Sequence, residues 1–533
     1  PVDAVEALLG AEAATLDAID TEELRLAAIA VAGRRDREPA GDAVVVVPAP
    51  ARPVRGALEQ AVALGVLLAA SAAVAPPIVL VAGVVAVGQL LGALVVGGRR
   101  QAARSLLVTA GATAAAAVLL APWTFELVSG GGWHDLLGAG LAPHDAPGLG
   151  SLLRFDVGPV HNPVLGWGFV AAAALPLVAG RRWRFTWAAR LWAVAVTAWG
   201  VAWAAGRGWL GIPAPAADVL LAPAAVALVL TAALGLAAFE RDLPGYRFGY
   251  RQVLSMVAAV SGLVVTLPVV VAAANGRWFA PAHDFSEVVS WMGERTGEGA
   301  FRVLWVGQPR ALPLDGWAIG DDLAYGTSRD GYPDVTTLWS GGRRSATGQL
   351  AGAVGLARRG ETSTLGHLLG PLGIRYVAVP TSAAPARERA PALDVPADLT
   401  DALGAQIDLR KIESDPALVV YENVAWGPVR AVLPAGAQDA SRRSGFDAAG
   451  TAQLAGAVPV LGGRHGPTTF TGPVPGPAQV YVAEGASPRW RLDVGSRRAP
   501  RRDAFGWASA YTVGAAGEGR LRYVTSPLRW LAI

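Results

Sequence analysis

Residues 123–162 hold the densest set of chemically capable side chains between apolar runs. Glu126, Asp135, Asp145 and Asp156 supply carboxylates, and His134, His144 and His161 supply imidazoles. His134-Asp135 and His144-Asp145 could ligate a divalent cation or serve as acid and base: imidazole titrates near neutrality, and a carboxylate accepts a proton or binds a hard cation. The spacing fits no established ligand pattern, since neither H-x-x-x-H nor H-E-x-x-H occurs. The same residues also read as an interfacial loop with its charges in water. Glu126, Asp135, Asp145 and Asp156 stand as the catalytic candidates, and this loop as the one place within the chain for a metal. No cofactor is evident: there is no G-x-G-x-x-G and no P-loop.

Aromatic residues form a second set, near the C-terminus. Trp490 and Trp507 lie among Phe505, Tyr511, Tyr523 and Trp530. An aromatic face packs well against the C–H groups of a pyranose, so Trp490 and Trp507 are candidates for carbohydrate stacking. Equally, such rings fill the core of a β-sandwich.

The loop is held by apolar segments. The chain has 533 residues, 53% hydrophobic and 16% charged, with a mean hydropathy of +0.38. A soluble domain carries about a quarter charged residues, and here the deficit falls in the first half. Seven segments approach the roughly 20 apolar residues that cross a bilayer: about 56–75, 78–98, 104–122, 163–180, 188–206, 216–238 and 252–274. These spans read as almost free of ionisable residues, which disfavours a transporter. Arginines cluster before the first span and in the loops at 99–104, 181–190 and 241–251. Those loops share one face if there are seven spans. The positive-inside rule then puts the N-terminus in the cytoplasm and residues 275–533 outside.

After residue 275 no spanning segment appears. DFSEVVSWMGERTGEGA (284–300) suggests an amphipathic helix, and FRVLWVG (301–307), Ile374–Val379 and ALVVYEN (417–423) read as strands. From about 430, short alternating segments separated by Gly, Pro and Ser read as a sandwich. The expected architecture is a multispan α-helical membrane region followed by an extracytoplasmic α/β domain and a β-sandwich. Its divisions are a cytoplasmic helical connector at 1–55, the membrane region at 56–274, the α/β domain at 275–430 and the sandwich at 431–533. The chain has no cysteine, so it holds neither disulfide nor thiolate metal site. A net charge of +3 is too small to argue for nucleic acid. The chain begins at Pro1, and the expectation is a piece of a longer polypeptide.

This order of parts, with LGHLLGPLGIRYVAVP (365–380), PRWRLDVG (488–495) and DAFGWASAYTV (503–513), resembles the C-terminal half of large actinobacterial membrane glycosyltransferases. In these a family-2 glycosyltransferase domain precedes a membrane region and an exported domain. The exported part is also similar to that of GT-C and YfhO-like membrane proteins. Alanine, glycine, valine and arginine are abundant beside a single lysine, Lys411, which agrees with a high-GC genome. The resemblance covers most of the chain from about residue 56 and implies transfer of a sugar to envelope glycan from a nucleotide sugar or a polyprenyl-phosphate carrier. The partners it implies are the membrane lipid or polyprenyl-phosphate carrier and an envelope glycan. The D-x-D and Q-x-x-R-W elements of a family-2 catalytic domain are absent, so no family site residue carries over, and any metal they would bind belongs to a domain upstream. The alternative is a non-catalytic, membrane-anchored glycan-binding scaffold whose catalytic domain is N-terminal.

Overall fold

The computed structural model describes residues 56–96, 98–121, 124, 147–157, 163–179, 183–211, 214–242, 250–276, 281–314, 316–319, 323–334 and 345–524. The expected connector helices, Glu126, Asp135, Asp145 and the three loop histidines lie outside these residues. The chain divides into two compact units, one up to Gly276 and one holding the described residues from 281 onward.

Among the described residues, seven apolar helices and one short helix build the first unit. They are α1 (Ala57–Val74), α2 (Ile78–Val95), α3 (Arg99–Leu119), the short α4 (Leu149–Leu153), α5 (Pro163–Ala179), α6 (Trp183–Gly206), α7 (Ala217–Asp242) and α8 (Tyr250–Asn275). Six are long and apolar enough to cross a membrane. The exception is α5, whose 17 residues rise about 26 Å against a hydrocarbon core of about 30 Å. Large apolar side chains point outward, Leu263 at 73% exposure and Leu267 at 65%, as lipid-facing residues do. Inside, small residues let backbones meet. A Cβ on Gly88 would lie 2.5 Å from the Cα of Val194, and one on Gly92 2.7 Å from the Cα of Arg190, so the Gly88-x-x-x-Gly92 face of α2 seats α6. Gly65 of α1 meets α3 at Ala112 and Ala115 in the same way.

The second unit is built on three sheets. Its first is mixed and six-stranded, in the order β2-β3-β1-β4-β6-β5. The strands are β1 (Arg302–Gly307), β2 (Trp317–Ile319), β3 (Leu323–Arg329), β4 (Ile374–Pro380), β5 (Leu409–Ile412) and β6 (Leu418–Asn423). Only β1 and β4 pair in parallel, so this layer is mainly antiparallel. All seven residues of β4 are buried, as a near-continuous apolar run in a central strand requires. The expected helix at 284–300 is reduced to α9 (Ser290–Glu294) and one 3-10 turn (Arg295–Glu298), which ends at Gly299 with φ 121°. Three further helices support the sheet: α10 (Ser345–Arg358), α11 (Leu365–Leu369) and α12 (Ala397–Gly404).

Two antiparallel five-stranded sheets follow. One runs β13-β12-β16-β10-β9 and the other β14-β15-β11-β7-β8. They comprise β7 (Arg430–Val432), β8 (Val458–Pro459), β9 (Gly463–Arg464), β10 (Thr469–Val474), β11 (Ala478–Val482), β12 (Trp490–Val494), β13 (Arg497–Arg498), β14 (Arg501–Ala504), β15 (Ala508–Val513) and β16 (Gly517–Tyr523). A shared cluster crosses the boundary expected at residue 430, beside one cluster confined to each side. The shared cluster joins Leu304, Val377 and Leu365 of the mixed layer to Tyr481, Phe505 and Trp507 of the sandwich. The Tyr481 hydroxyl crosses that junction to donate to the Pro371 carbonyl at 2.6 Å.

Candidate functional site

Of the four candidate carboxylates, only Asp156 is among the described residues. It sits half-buried in the turn after α4, where its backbone N–H donates to the Ser151 carbonyl at 2.8 Å. The preceding Phe155, at φ 56°, places its ring 5.7 Å from Phe169 of α5 and 6.0 Å from Trp199 of α6. These contacts dock this end of the loop on the helices.

The two candidate sugar platforms are core residues. Trp507 is 3% exposed, in the cluster shared by the mixed layer and the sandwich. Trp490 is 9% exposed, edge-on to Tyr523 at 5.2 Å and beside Phe470. Neither leaves a face free for a pyranose. The alternation along β12 points Trp490 inward, and Trp507 is buried in the turn between β14 and β15.

Arg190 corrects the reading of the spans. Counted among the arginines of the 181–190 loop, it lies two turns inside α6, which begins at Trp183. It is 4% exposed, its backbone against Gly92 and its guanidinium 5.4 Å from the Trp187 ring. An ionisable residue buried in a spanning helix is costly and marks a position of interest.

The second unit holds an arrangement that no motif signals. Asp408, between α12 and β5, is buried, and its carboxylate accepts three hydrogen bonds. The backbone N–H groups of Gly366 and His367 donate at 2.9 and 2.8 Å, and His367 Nδ1 donates at 2.8 Å. An ionised carboxylate offers only acceptors, so it holds the imidazole proton on Nδ1 and leaves Nε2 as the basic atom. The His367 side chain is 35% exposed. Asn423 locks the opposite side, donating from Nδ2 to the carbonyls of Gly366 and Ile374 at 2.9 Å each. Position 366 must be glycine, because a Cβ there would lie 2.4 Å from Asn423 Oδ1 and 2.9 Å from Asp408 Oδ2.

The same two chain segments shape a groove of about 630 Å³. That volume is within the range of small-ligand sites, roughly 300–1,000 Å³. Arg358, Glu361, Ser363, Asp398 and Asp401 supply its polar lining. Arg358 Nε meets Asp398 Oδ2 at 2.6 Å across one end. Arg359 forks onto Glu361 with bonds of 2.8 and 3.0 Å, which holds the Glu361 carboxyl below the usual range. Gln406 is a wall of the groove: it accepts from Leu365 N–H and donates to the carbonyls of Thr362 and Ala402. His367 is outside the lining. Carboxylate, guanidinium and hydroxyl groups side by side suit a polyhydroxylated ligand, whose hydroxyls both donate and accept. Among the described residues no group of three or more His, Asp and Glu is arranged to hold a metal ion. No family model, curated protein or solved structure matches the chain.

Proposed function

We propose that this chain is the membrane and exported portion of a cell-envelope glycosyltransferase acting on polysaccharide or lipid-linked glycan. The observation that carries this reading is the polar groove on a folded unit that follows a set of membrane-length helices in one chain. The groove would hold glycan, and the apolar helices would hold the lipid or polyprenyl-phosphate carrier. The arginine-rich loops support a cytoplasmic N-terminus and an extracytoplasmic second unit, with α5 counted as a crossing. His367 has the environment of a general base: a partly exposed ring oriented by a buried carboxylate. It would take the proton of an acceptor hydroxyl as that oxygen bonds to the anomeric carbon and the donor's anomeric C–O bond breaks, the phosphate or diphosphate leaving with the bonding pair.

The position of His367 outside the groove lining favours a second reading. In it the second unit only holds glycan, and bond making falls to a catalytic domain elsewhere. Glycan transfer in membranes separates the two. Ser363→Trp fills the groove from an exposed position and is expected to abolish transfer under both readings. His367→Gln is expected to lower the rate about 100-fold or more under the first alone, the usual contribution of a general base. Full transfer by Ser363→Trp would remove the groove from the function.

A further inference from the structure

Four arginines converge where the mixed sheet meets the sandwich. Arg302 and Arg329 are directly opposite partners in the β1–β3 ladder. Arg430 opens β7 and Arg464 closes β9. Like charges placed directly opposite on a sheet repel, so this pairing requires a compensating anion. Glu484 supplies part of it, at 3.1 Å from Arg302 and 3.8 Å from Arg329. Asp330, at φ 59°, is the other acid of the cleft. Four guanidinium groups against two carboxylates leave a formal excess of two positive charges.

Arg430 is the most buried of the four. It is 8% exposed, with its guanidinium 3.9 Å from the Phe470 ring centroid. Its Nε donates to the Leu461 carbonyl at 3.2 Å. Among the described residues its terminal nitrogens have no protein acceptor. Burial pulls its pKa down to about 10, with repulsion from Arg302 and Arg329 set against attraction from Glu484 and Asp330. The cleft around these groups encloses about 40 Å³. A single water needs roughly 10–15 Å³ of such space, so the cleft has room for about three oxygen atoms. Arg329 and Arg464 are exposed at its mouth.

We propose that this cleft binds a tetrahedral oxyanion, a phosphate group, with Arg430 at its floor and Arg302, Arg329 and Arg464 around it. The planar guanidinium fork matches phosphate oxygens in pairs, and each such bond is charge-assisted. Exposed arginines at the mouth allow the fourth oxygen to carry an ester substituent into solvent. The phosphate can therefore be free or borne by a sugar. The proposal is independent of the glycosyltransferase reading, and the cleft shares no residue with the groove.

Isothermal titration of the full chain in neutral detergent tests it, with inorganic phosphate and glucose 1-phosphate as separate probes. Saturable binding at one site per chain is expected for at least one probe, weakening as salt rises. Arg329→Gln and Arg464→Gln replace exposed side chains, and each is expected to weaken binding about tenfold. Asp330→Asn is expected to tighten binding, because it removes a competing negative charge. Glucose 1-phosphate binding as well as inorganic phosphate marks an ester ligand. Preference for inorganic phosphate marks the free ion, and either result supports the site. Absence of saturable binding by both probes at millimolar concentration overturns it. So does unchanged affinity in both mouth variants.

Discussion

Replacing Asp408 by Asn tests the Asp408–His367 arrangement at the cost of one heavy-atom exchange. The carboxylate accepts from Gly366 N–H through Oδ1 and from His367 N–H and Nδ1 through Oδ2. An amide keeps one acceptor oxygen. Turned toward His367, it sets its NH2 against the Gly366 N–H; turned toward Gly366, it sets its NH2 against the His367 N–H. Either way one buried N–H loses its acceptor, at about 1–3 kcal/mol. The remaining bonds lose their charge assistance, which roughly halves them. The sum is about 2–4 kcal/mol. For a unit of this size that lowers the melting temperature by about 4–16 °C. The assay is thermal unfolding of the full chain in detergent, followed by near-ultraviolet circular dichroism. Asp401→Asn is the control, since Asp401 is exposed in the groove, and it is expected to stay within about 0.5 kcal/mol of the wild type. A wild-type melt for Asp408→Asn would refute the claim that this carboxylate satisfies the first N–H groups of α11.

Gly92→Ala on α2 forces the backbones of α2 and α6 apart at Arg190 and is expected to destabilise the first unit by about 1–3 kcal/mol. Gly83→Ala on the same helix meets nothing within 4 Å, so it is expected to melt as wild type. Asp330 has its pKa raised, chiefly by burial, so ionisation disfavours the folded state. Asp330→Asn is therefore expected to stabilise the chain at pH 7. The gain should vanish as pH falls from the raised folded value through the ordinary aspartate value of 3.8, where the carboxyl is protonated folded and unfolded; equal gain at pH 3 and 7 would contradict the assignment. Because the chain has no cysteine, Ile407→Cys carries the only thiol, at a position 79% exposed. It is expected to react with an impermeant maleimide on intact cells, while Arg100→Cys reacts only after permeabilisation.

Every expected apolar segment overlies a helix, because long uncharged runs are legible from composition. The strands at 302–307, 374–380 and 418–423 were equally plain, since each is a short apolar run rich in β-branched and aromatic residues. The start of α6 was not. Arg184 and Arg190 lower local hydropathy, yet the helix continues through them, with Arg190 sheltered by Gly92 and Trp187. The segment at 284–300 is shorter than its amphipathic pattern suggests: the helix covers only Ser290–Glu294, tightens to a 3-10 turn and stops at Gly299, whose φ of 121° no helix accommodates. His367 and Asp408 are 41 residues apart and meet where the start of α11 packs on the segment between α12 and β5, so no spacing rule joins them. The arginine cleft draws on five strand ends and is invisible in the linear order for the same reason.

The central claim is that the second unit holds glycan in the groove beside Ser363. The most direct measurement is retention of envelope polysaccharide by the full chain in nanodiscs, comparing wild type with Ser363→Trp. The expected result is saturable retention by wild type and at least a tenfold loss in Ser363→Trp, about 1.4 kcal/mol or more. Equal retention by the two, or none by either, would contradict it.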